Sequence, residues 1–283
     1  MNSVALPAGV ALPALGLGTW HMGEAACTRA AEVAAVRLAL EIGYRVIDTA
    51  EMYGEGGAEE VVGRAAAEAL RTGAVTRDEI FIVSKVYPHN ASRGGVAAAC
   101  DRSLRRLGLD WIDLYLLHWP GPHPLRDTVA GFEALRADGR IRHWGLSNFD
   151  TAEMKALAGA GGERCAANQV YYSLSARGAE FDLLPWQREH SMPLMAYCPL
   201  DQGGLVNEPV LREVAGRHGA TASQVALAWL MAQRGVMVIP KAVREAHLRE
   251  NFAAAELVLN AADLGAIERR FPAPRRKQPL AMR

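Results

Sequence analysis

The sequence predicts an α/β chain: a (β/α)8 barrel of the TIM type, preceded by a small β-hairpin and followed by a short C-terminal extension. Three observations carry that expectation. Short apolar runs recur along the whole chain, Ala-rich stretches with helical spacing separate them, and each run ends in polar or glycine residues. In order the runs are "ALGLGT", "RVIDT", "IFIVSK", "DLYLLH", "HWGLSN", "AANQV", "LMAYCP" and "VMVIP", eight strand candidates in all. Seven stretches between them read as helices or helix-containing loops, including 30–42, 93–107 and 221–234. Repeated βα units imply parallel strands, and eight of them close a barrel. A doubly wound open sheet is the structural rival.

The elements follow from the N-terminus. "MNSVALPAGVALPALGLG" is apolar but lacks a basic leader and is broken by Pro7, Gly9 and Pro13. It therefore reads as a hairpin turning at "PAG" rather than as a signal peptide. Glu, Arg or Asp interrupts every helical pattern, so no run reaches the roughly eighteen apolar residues of a membrane span. No Pro/Gly/Ser linker marks a boundary, and residues 1–283 read as one domain. The tail "FPAPRRKQPLAMR" is proline-rich and basic, and its Arg275, Arg276 and Lys277 read as a solvated surface extension.

Composition narrows the function classes. Half the residues are apolar and 31 basic residues balance 31 acidic ones, which gives no reason to expect a nucleic-acid or other polyanion partner. Cys27, Cys100, Cys165 and Cys198 lie far apart, with no metal-ligand spacing. They read as reduced thiols of a cytoplasmic protein without a bound metal.

Polar residues cap the predicted strands: Asp48, Lys85, His118, Ser147, Asn148, Gln169, Tyr197 and Lys241. In a barrel, C-terminal strand ends share one mouth. Alone, Asp48 and Lys85 would be a structural ion pair and His118 a packed core histidine. Together with Tyr53 they suit reduction of a carbonyl. An adjacent Lys85 favours the phenolate and so brings Tyr53 closer to neutral acidity. His118 can orient the carbonyl oxygen, and Asp48 balances Lys85. Such a site lacks a hydride donor. There is no G-x-G-x-x-G after a strand and no P-loop; "YGEGGAEE" breaks the spacing. The amides of Asn148 and Gln169 and the Ser147 hydroxyl suit a nicotinamide carboxamide, Tyr197 suits its ring, and Lys241 suits a phosphate. Trp20, Tyr87 and Trp119 follow strand ends and are expected to wall a substrate pocket. Trp111, Trp186 and Trp229, with His123, His143, His190 and His218, are expected to be packing or surface residues.

The ordered motifs "GLGTW", "GYRVIDTAEMYGEGGAEEVVG", "FIVSKVYP", "DLYLLHWP", "HWGLSNFD", "NQVYYSL", "AYCPL" and "IPKAVREAHLREN" resemble the aldo-keto reductase superfamily over essentially the whole chain. The similarity is strongest to bacterial members that reduce methylglyoxal and other small aldehydes. The resemblance implies a catalytic tetrad of Asp48, Tyr53, Lys85 and His118, with Tyr53 as proton donor. It also implies an NADPH site. Thr19, Trp20 and Asp48 flank it, Ser147, Asn148 and Gln169 take the carboxamide, and Tyr197 stacks on the ring. The 199–205 loop, with Pro199, Leu200, Gln202 and Gly204, covers the pyrophosphate. Lys241, His247, Glu250 and Asn251 then address the adenosine end. Oligomeric state on this resemblance is monomeric.

Two departures stand out. Ala242 and His247 occupy positions where many members carry serine and arginine, which weakens the grip on a 2′-phosphate, leaves NADH possible with weaker binding, and makes Arg244 the compensating cation. Cys198 replaces a more usual serine, a poorer hydrogen-bond partner. Two other function classes compete. One is a nicotinamide-binding redox sensor on the same barrel, and the other a lyase using Lys85 as a Schiff-base nucleophile.

Overall fold

The computed structural model describes residues 2–282. Strands β1 (Ser3–Ala5) and β2 (Ala11–Pro13) pair antiparallel as the hairpin, and the turn between them is closed by Leu6 N donating to Val10 O at 2.9 Å. Val4, Leu6 and Leu12 are buried, and Asn2 Nδ2 donates to Met231 O at 3.0 Å. The hairpin thus sits at the N-terminal end of the barrel, away from the mouth.

Eight parallel strands follow: β3 (Leu17–Gly18), β4 (Val46–Asp48), β5 (Phe81–Val86), β6 (Ile112–Leu117), β7 (Ile141–Ser147), β8 (Asn168–Tyr171), β9 (Leu194–Tyr197) and β10 (Val236–Val238). Each lies within one of the eight apolar runs or overlaps it closely, and each pairs with its sequence neighbours. The last strand returns to the first. Leu15 bridges Val238 and Gly18 bridges Lys241, both in parallel, so the sheet closes and the open-sheet alternative is excluded. Gly18 permits this seam, because a Cβ there would meet Ile239 O at 2.6 Å.

Helices α1 (Arg29–Ile42), α2 (Gly57–Thr72), α3 (Arg93–Leu107), α4 (Leu125–Ala137), α5 (Thr151–Ala156), α6 (Leu183–Glu189), α7 (Pro209–His218), α8 (Ala222–Met231), α9 (Glu245–Ala253) and α10 (Ala261–Arg270) sheathe the strands. Local chemistry fixes their ends. Ser92 caps α3 and Thr221 caps α8 by accepting from backbone N–H groups, and Gly108 ends α3 in the left-handed region. Strands β4, β5 and β6 are buried along their whole length, as expected of parallel strands covered on both faces. Trp144 stacks on Phe132 at 5.5 Å between sheet and helices.

The tail runs over the surface as expected and also touches the barrel top. Lys277 Nζ lies 2.7 Å from Asp182 and 3.7 Å from Asp150, and Met282 reaches the main cavity. Two carboxylates at the top of the barrel pair with Lys277, which stays exposed as Arg275 and Arg276 do. Among the described residues no helix is long and apolar enough to cross a membrane.

Candidate active site

The C-terminal ends of the strands open into a cavity of about 1270 Å³. Beneath it lies a chain of polar contacts built from β4, the loop that follows it, β5 and β8. Lys85 comes from β5 and is wholly buried. Its Nζ donates to Asp48 Oδ2 at 2.7 Å, to Thr49 O at 2.9 Å and to Tyr53 Oη at 3.0 Å. An ammonium has three donors, and all three are used. On the far side Gln169 Nε2 donates to Asp48 Oδ1 at 2.7 Å. His118, at the end of β6, meets the Tyr53 ring edge-on at 5.7 Å. The structure therefore brings Asp48, Tyr53, Lys85 and His118 together across 70 positions of sequence (118 − 48). Tyr53, His118 and Asp48 line the cavity, while Lys85 lies under it.

Burial dominates the electrostatics. It lifts Asp48 above the usual carboxylate range and lowers Lys85, in each case against the pull of the partner. Burial, with Asp48 and Cys198 adding to it, pushes Tyr53 well above the ordinary phenol value. This reverses the sequence expectation of a more acidic Tyr53: removal of the phenol from water is the larger cause, and the nearby Asp48 charge adds to it. Burial, reinforced by Lys85, pushes His118 well below its ordinary value, so the imidazole is neutral around neutral pH. Its Nδ1 has no hydrogen-bond partner among the described residues.

A second layer holds these groups. Glu59, wholly buried on α2, accepts from Ser84 Oγ at 2.5 Å and from Arg106 Nε at 2.6 Å. Glu51 accepts from Tyr87 N at 2.8 Å, from Asn90 Nδ2 at 3.1 Å and from Arg102 Nη2 at 3.2 Å. Neither carboxylate was singled out by the sequence reading. A charged residue at a position with the spacing of the buried face of α2 was the available signal.

The cavity continues from the tetrad over β7, β8 and β9. Asn148 Nδ2 donates to His118 O at 3.1 Å and to Ser147 Oγ at 3.2 Å, and Tyr197 Oη donates to Asn148 Oδ1 at 2.9 Å. Tyr197 lies parallel to Tyr171 at 5.8 Å. Pro199, Leu200, Gln202 and Gly203 edge the next section, and Lys241, Arg244, His247, Glu250 and Asn251 surround the far end. There Arg244 Nη2 and His247 Nε2 are 2.6 Å apart.

Besides Lys85, three expected site residues lie off the cavity surface. Thr19 is buried and donates its hydroxyl to Asp48 O at 2.9 Å. Gly204 sits behind Gly203 in the tight turn after β9. Tyr87 backs Trp119 edge-on at 6.0 Å, whereas Trp20 and Trp119 face the cavity. Residues the sequence reading did not assign also line it, among them His21, Met52, Asn207, Arg212 and Met282. Arg212 sits on α7, and the loops that carry the others have no periodic signal that would reveal which side chains turn inward.

Backbone conformation marks the same mouth. Of the non-glycine residues with positive φ, His21, Asn148, Cys198 and Gln202 line it, and Asp201 lies between the lining residues Leu200 and Gln202. Strain of this kind gathers where geometry serves a ligand. The donor set also fits an elongated dinucleotide: amides and a hydroxyl at one end, an aromatic face beside them, and cations at the other. Among the described residues no His, Cys, Asp and Glu cluster could hold a metal ion.

The chain is similar to known proteins along most of its length. The Aldo/keto reductase family model matches residues 14–270. The chain is 50% identical over 279 residues to methylglyoxal reductase YeaE of Escherichia coli (strain K12), covering 96% of each sequence. It is 34% identical to methylglyoxal reductase DkgB of Escherichia coli O157:H7, covering 91% of this chain and 92% of that one. The crystal structure of an aldo-keto reductase from Klebsiella pneumoniae in complex with NADPH superposes with a TM-score of 0.94 at 48% identity over 99% of both chains. A closed eight-stranded barrel, a buried Asp-Lys-Tyr chain beside a histidine at its mouth, and a family match spanning the barrel lead to one conclusion: the chain belongs to the aldo/keto reductase family.

Proposed function

We propose that this protein is an NADPH-dependent reductase of small aldehydes and ketones, methylglyoxal among them, and that residues 1–283 act as one catalytic domain, a cytoplasmic monomer. The observation that carries the reading is the hydrogen-bonded chain Asp48–Lys85–Tyr53, whose phenol faces the cavity beside neutral His118.

NADPH, when bound, supplies the hydride. Gln169 holds Asp48 through its Nε2, which leaves its Oε1 to accept from a carboxamide. Ser147 and Asn148 complete that contact, and Tyr197 offers a ring face. Lys241 and Arg244 provide charge-assisted hydrogen bonds for the 2′-phosphate at the far end, with Glu250 and Asn251 beside the adenine. Binding NADH more weakly follows from losing those contacts. Trp20 and Trp119 close the apolar side around a small carbonyl compound, and neutral His118 donates one N–H to its oxygen. Tyr53 then gives its proton to that oxygen as negative charge develops. Lys85 faces the phenolate left behind, and Asp48 keeps Lys85 protonated. General acid catalysis of this type contributes roughly 10²–10⁴ in rate.

The lyase alternative fails on geometry. Schiff-base formation needs an unprotonated, accessible amine, and Lys85 is wholly buried with every donor engaged. The test of the reductase reading is initial-rate loss of NADPH absorbance with methylglyoxal and with an aromatic aldehyde, repeated with NADH and with Tyr53→Phe. Turnover that prefers NADPH and falls by about 10² or more without the phenol supports it. Tight NADPH binding with no turnover above that of Tyr53→Phe overturns it in favour of a redox sensor.

A further inference from the structure

A second depression, of about 460 Å³, opens on the outer wall of the barrel between α2 and α3. Its walls are Glu60, Arg64, Arg102, Arg105 and Arg106, none of which lines the main cavity. Four guanidinium groups in one groove repel one another unless something compensates them. Two are compensated from below. Arg106 is held by wholly buried Glu59 at 2.6 Å, and Arg102 by buried Glu51 at 3.2 Å. Glu60 is already engaged by Arg29 at 3.1 Å.

Arg64 and Arg105 are left over. Both are exposed, and neither makes an ion pair among the described residues. The groove therefore carries two uncompensated positive charges. Its anchored members still have donors to offer: Arg106 uses Nε and Nη2, and Arg102 uses Nη2 alone. Guanidinium forks match the oxygens of a phosphate bidentately, and anchoring removes part of the ordering cost of binding.

We propose that this groove is a second, non-catalytic site for a phosphate dianion, borne by a small phosphate monoester or present as the free inorganic ion. The charge count sets the stoichiometry of one dianion, since Arg64 and Arg105 supply two positive charges and the other pairs are neutral. The site also touches the catalytic floor indirectly. The carboxylates that hold Arg106 and Arg102 are the same ones that bond Ser84 Oγ, next to Lys85, and the Tyr87 backbone.

Isothermal titration calorimetry of the full chain tests this, with inorganic phosphate and glycerol 3-phosphate as separate probes at mildly alkaline pH and ionic strength fixed with chloride. Two variants accompany the wild type. R64Q/R105Q removes the uncompensated charges, and K241A/R244A removes the cations of the main cavity. The expected result is saturable one-site binding whose Kd rises at least about tenfold in R64Q/R105Q and stays within about twofold in K241A/R244A. The tighter of the two probes then identifies the source of the phosphate. No saturable heat with either probe, or loss of binding in K241A/R244A with retention in R64Q/R105Q, overturns the proposal. Arg64 and Arg105 are exposed and without ion pairs, so their replacement leaves folding intact.

Discussion

Replacing Asp48 with asparagine keeps the volume of the side chain and deletes the charge that faces Lys85. The contact is 2.7 Å, and neither side chain is more than 3% exposed. At an effective dielectric of about 20, charges at that spacing attract by about 6 kcal/mol. Desolvation offsets part of this, and removing one partner of a buried pair costs about 3–5 kcal/mol. Gln169 can turn its amide to accept from the carboxamide introduced opposite it, so the packing need not collapse. Lys85, however, loses the largest influence opposing burial and is pushed further toward its neutral form. In Asp48→Asn, kcat/KM for methylglyoxal should fall by about 10²–10⁴, with NADPH affinity by fluorescence within about threefold of wild type. For a chain of 283 residues the unfolding entropy is about 0.6 kcal/mol/K, so the same variant should melt about 5–8 °C lower. A variant that keeps kcat/KM within about fivefold and melts with the wild type would refute both the ion pair and its role.

Four further outcomes follow from other parts of the molecule. His118 is held neutral by burial and Lys85; the unfolded chain takes up a proton near 6.5 where the folded chain does not. Stability is therefore complete above 6.5 and declines as pH falls below it; His118→Gln should flatten that decline in urea titrations. Asp263, although burial opposes it, is drawn down to about 2 by His218, Arg217 and the Asn260 backbone. Its contribution is present above 3.8 and lost as pH falls through about 2, so Asp263→Asn should lower the urea midpoint at pH 5 and converge with wild type in strong acid. Gly23 has φ +75°, and a Cβ there would lie 2.1 Å from Gly57 C, so Gly23→Ala should cost at least about 2 kcal/mol by chemical unfolding. His247→Arg adds a permanent cation beside Arg244, and one charge-assisted hydrogen bond should raise the NADPH-over-NADH ratio of kcat/KM by about tenfold.

The barrel was legible because burial on both faces forces parallel strands into continuous apolar runs, and "IFIVSK" and "DLYLLH" are clear instances that became β5 and β6. Strand-end residues were legible for a related reason: a polar residue closing such a run has only the mouth to face. Loops do not obey that rule. Gly204 and Gln202 sit two positions apart in one turn, yet only Gln202 reaches the cavity. Thr19 follows β3 as Trp20 does, but its hydroxyl turns back to Asp48 O. Buried Glu59 and the capture of Lys277 by Asp182 depend on partners distant in sequence, which periodicity does not reveal.

The raised pKa of Tyr53 sets the moment at which Lys85 would act in the proposed mechanism. A cation beside a phenol favours the phenolate, but Asp48 stands 2.7 Å from that cation and the whole group is out of water. What the resting phenol meets is closer to a dipole than to a free charge. Its proton is therefore retained at any physiological pH, which is the state a proton donor requires. The balance changes only as charge passes to the phenol oxygen. The 3.0 Å contact from Lys85 Nζ then becomes charge-assisted on both sides, roughly twice as strong as its resting form. An interaction that strengthens along the reaction lowers the barrier, whereas one already complete at rest would only stabilise the ground state. Asp48 thus serves by keeping the ammonium charged in a place where burial would discharge it. In the proposed mechanism, deleting Asp48 and deleting the phenol would remove different things, the stabilising cation and the proton itself. The two losses should combine to far less than their product, because without a proton to transfer the cation has no developing charge to meet.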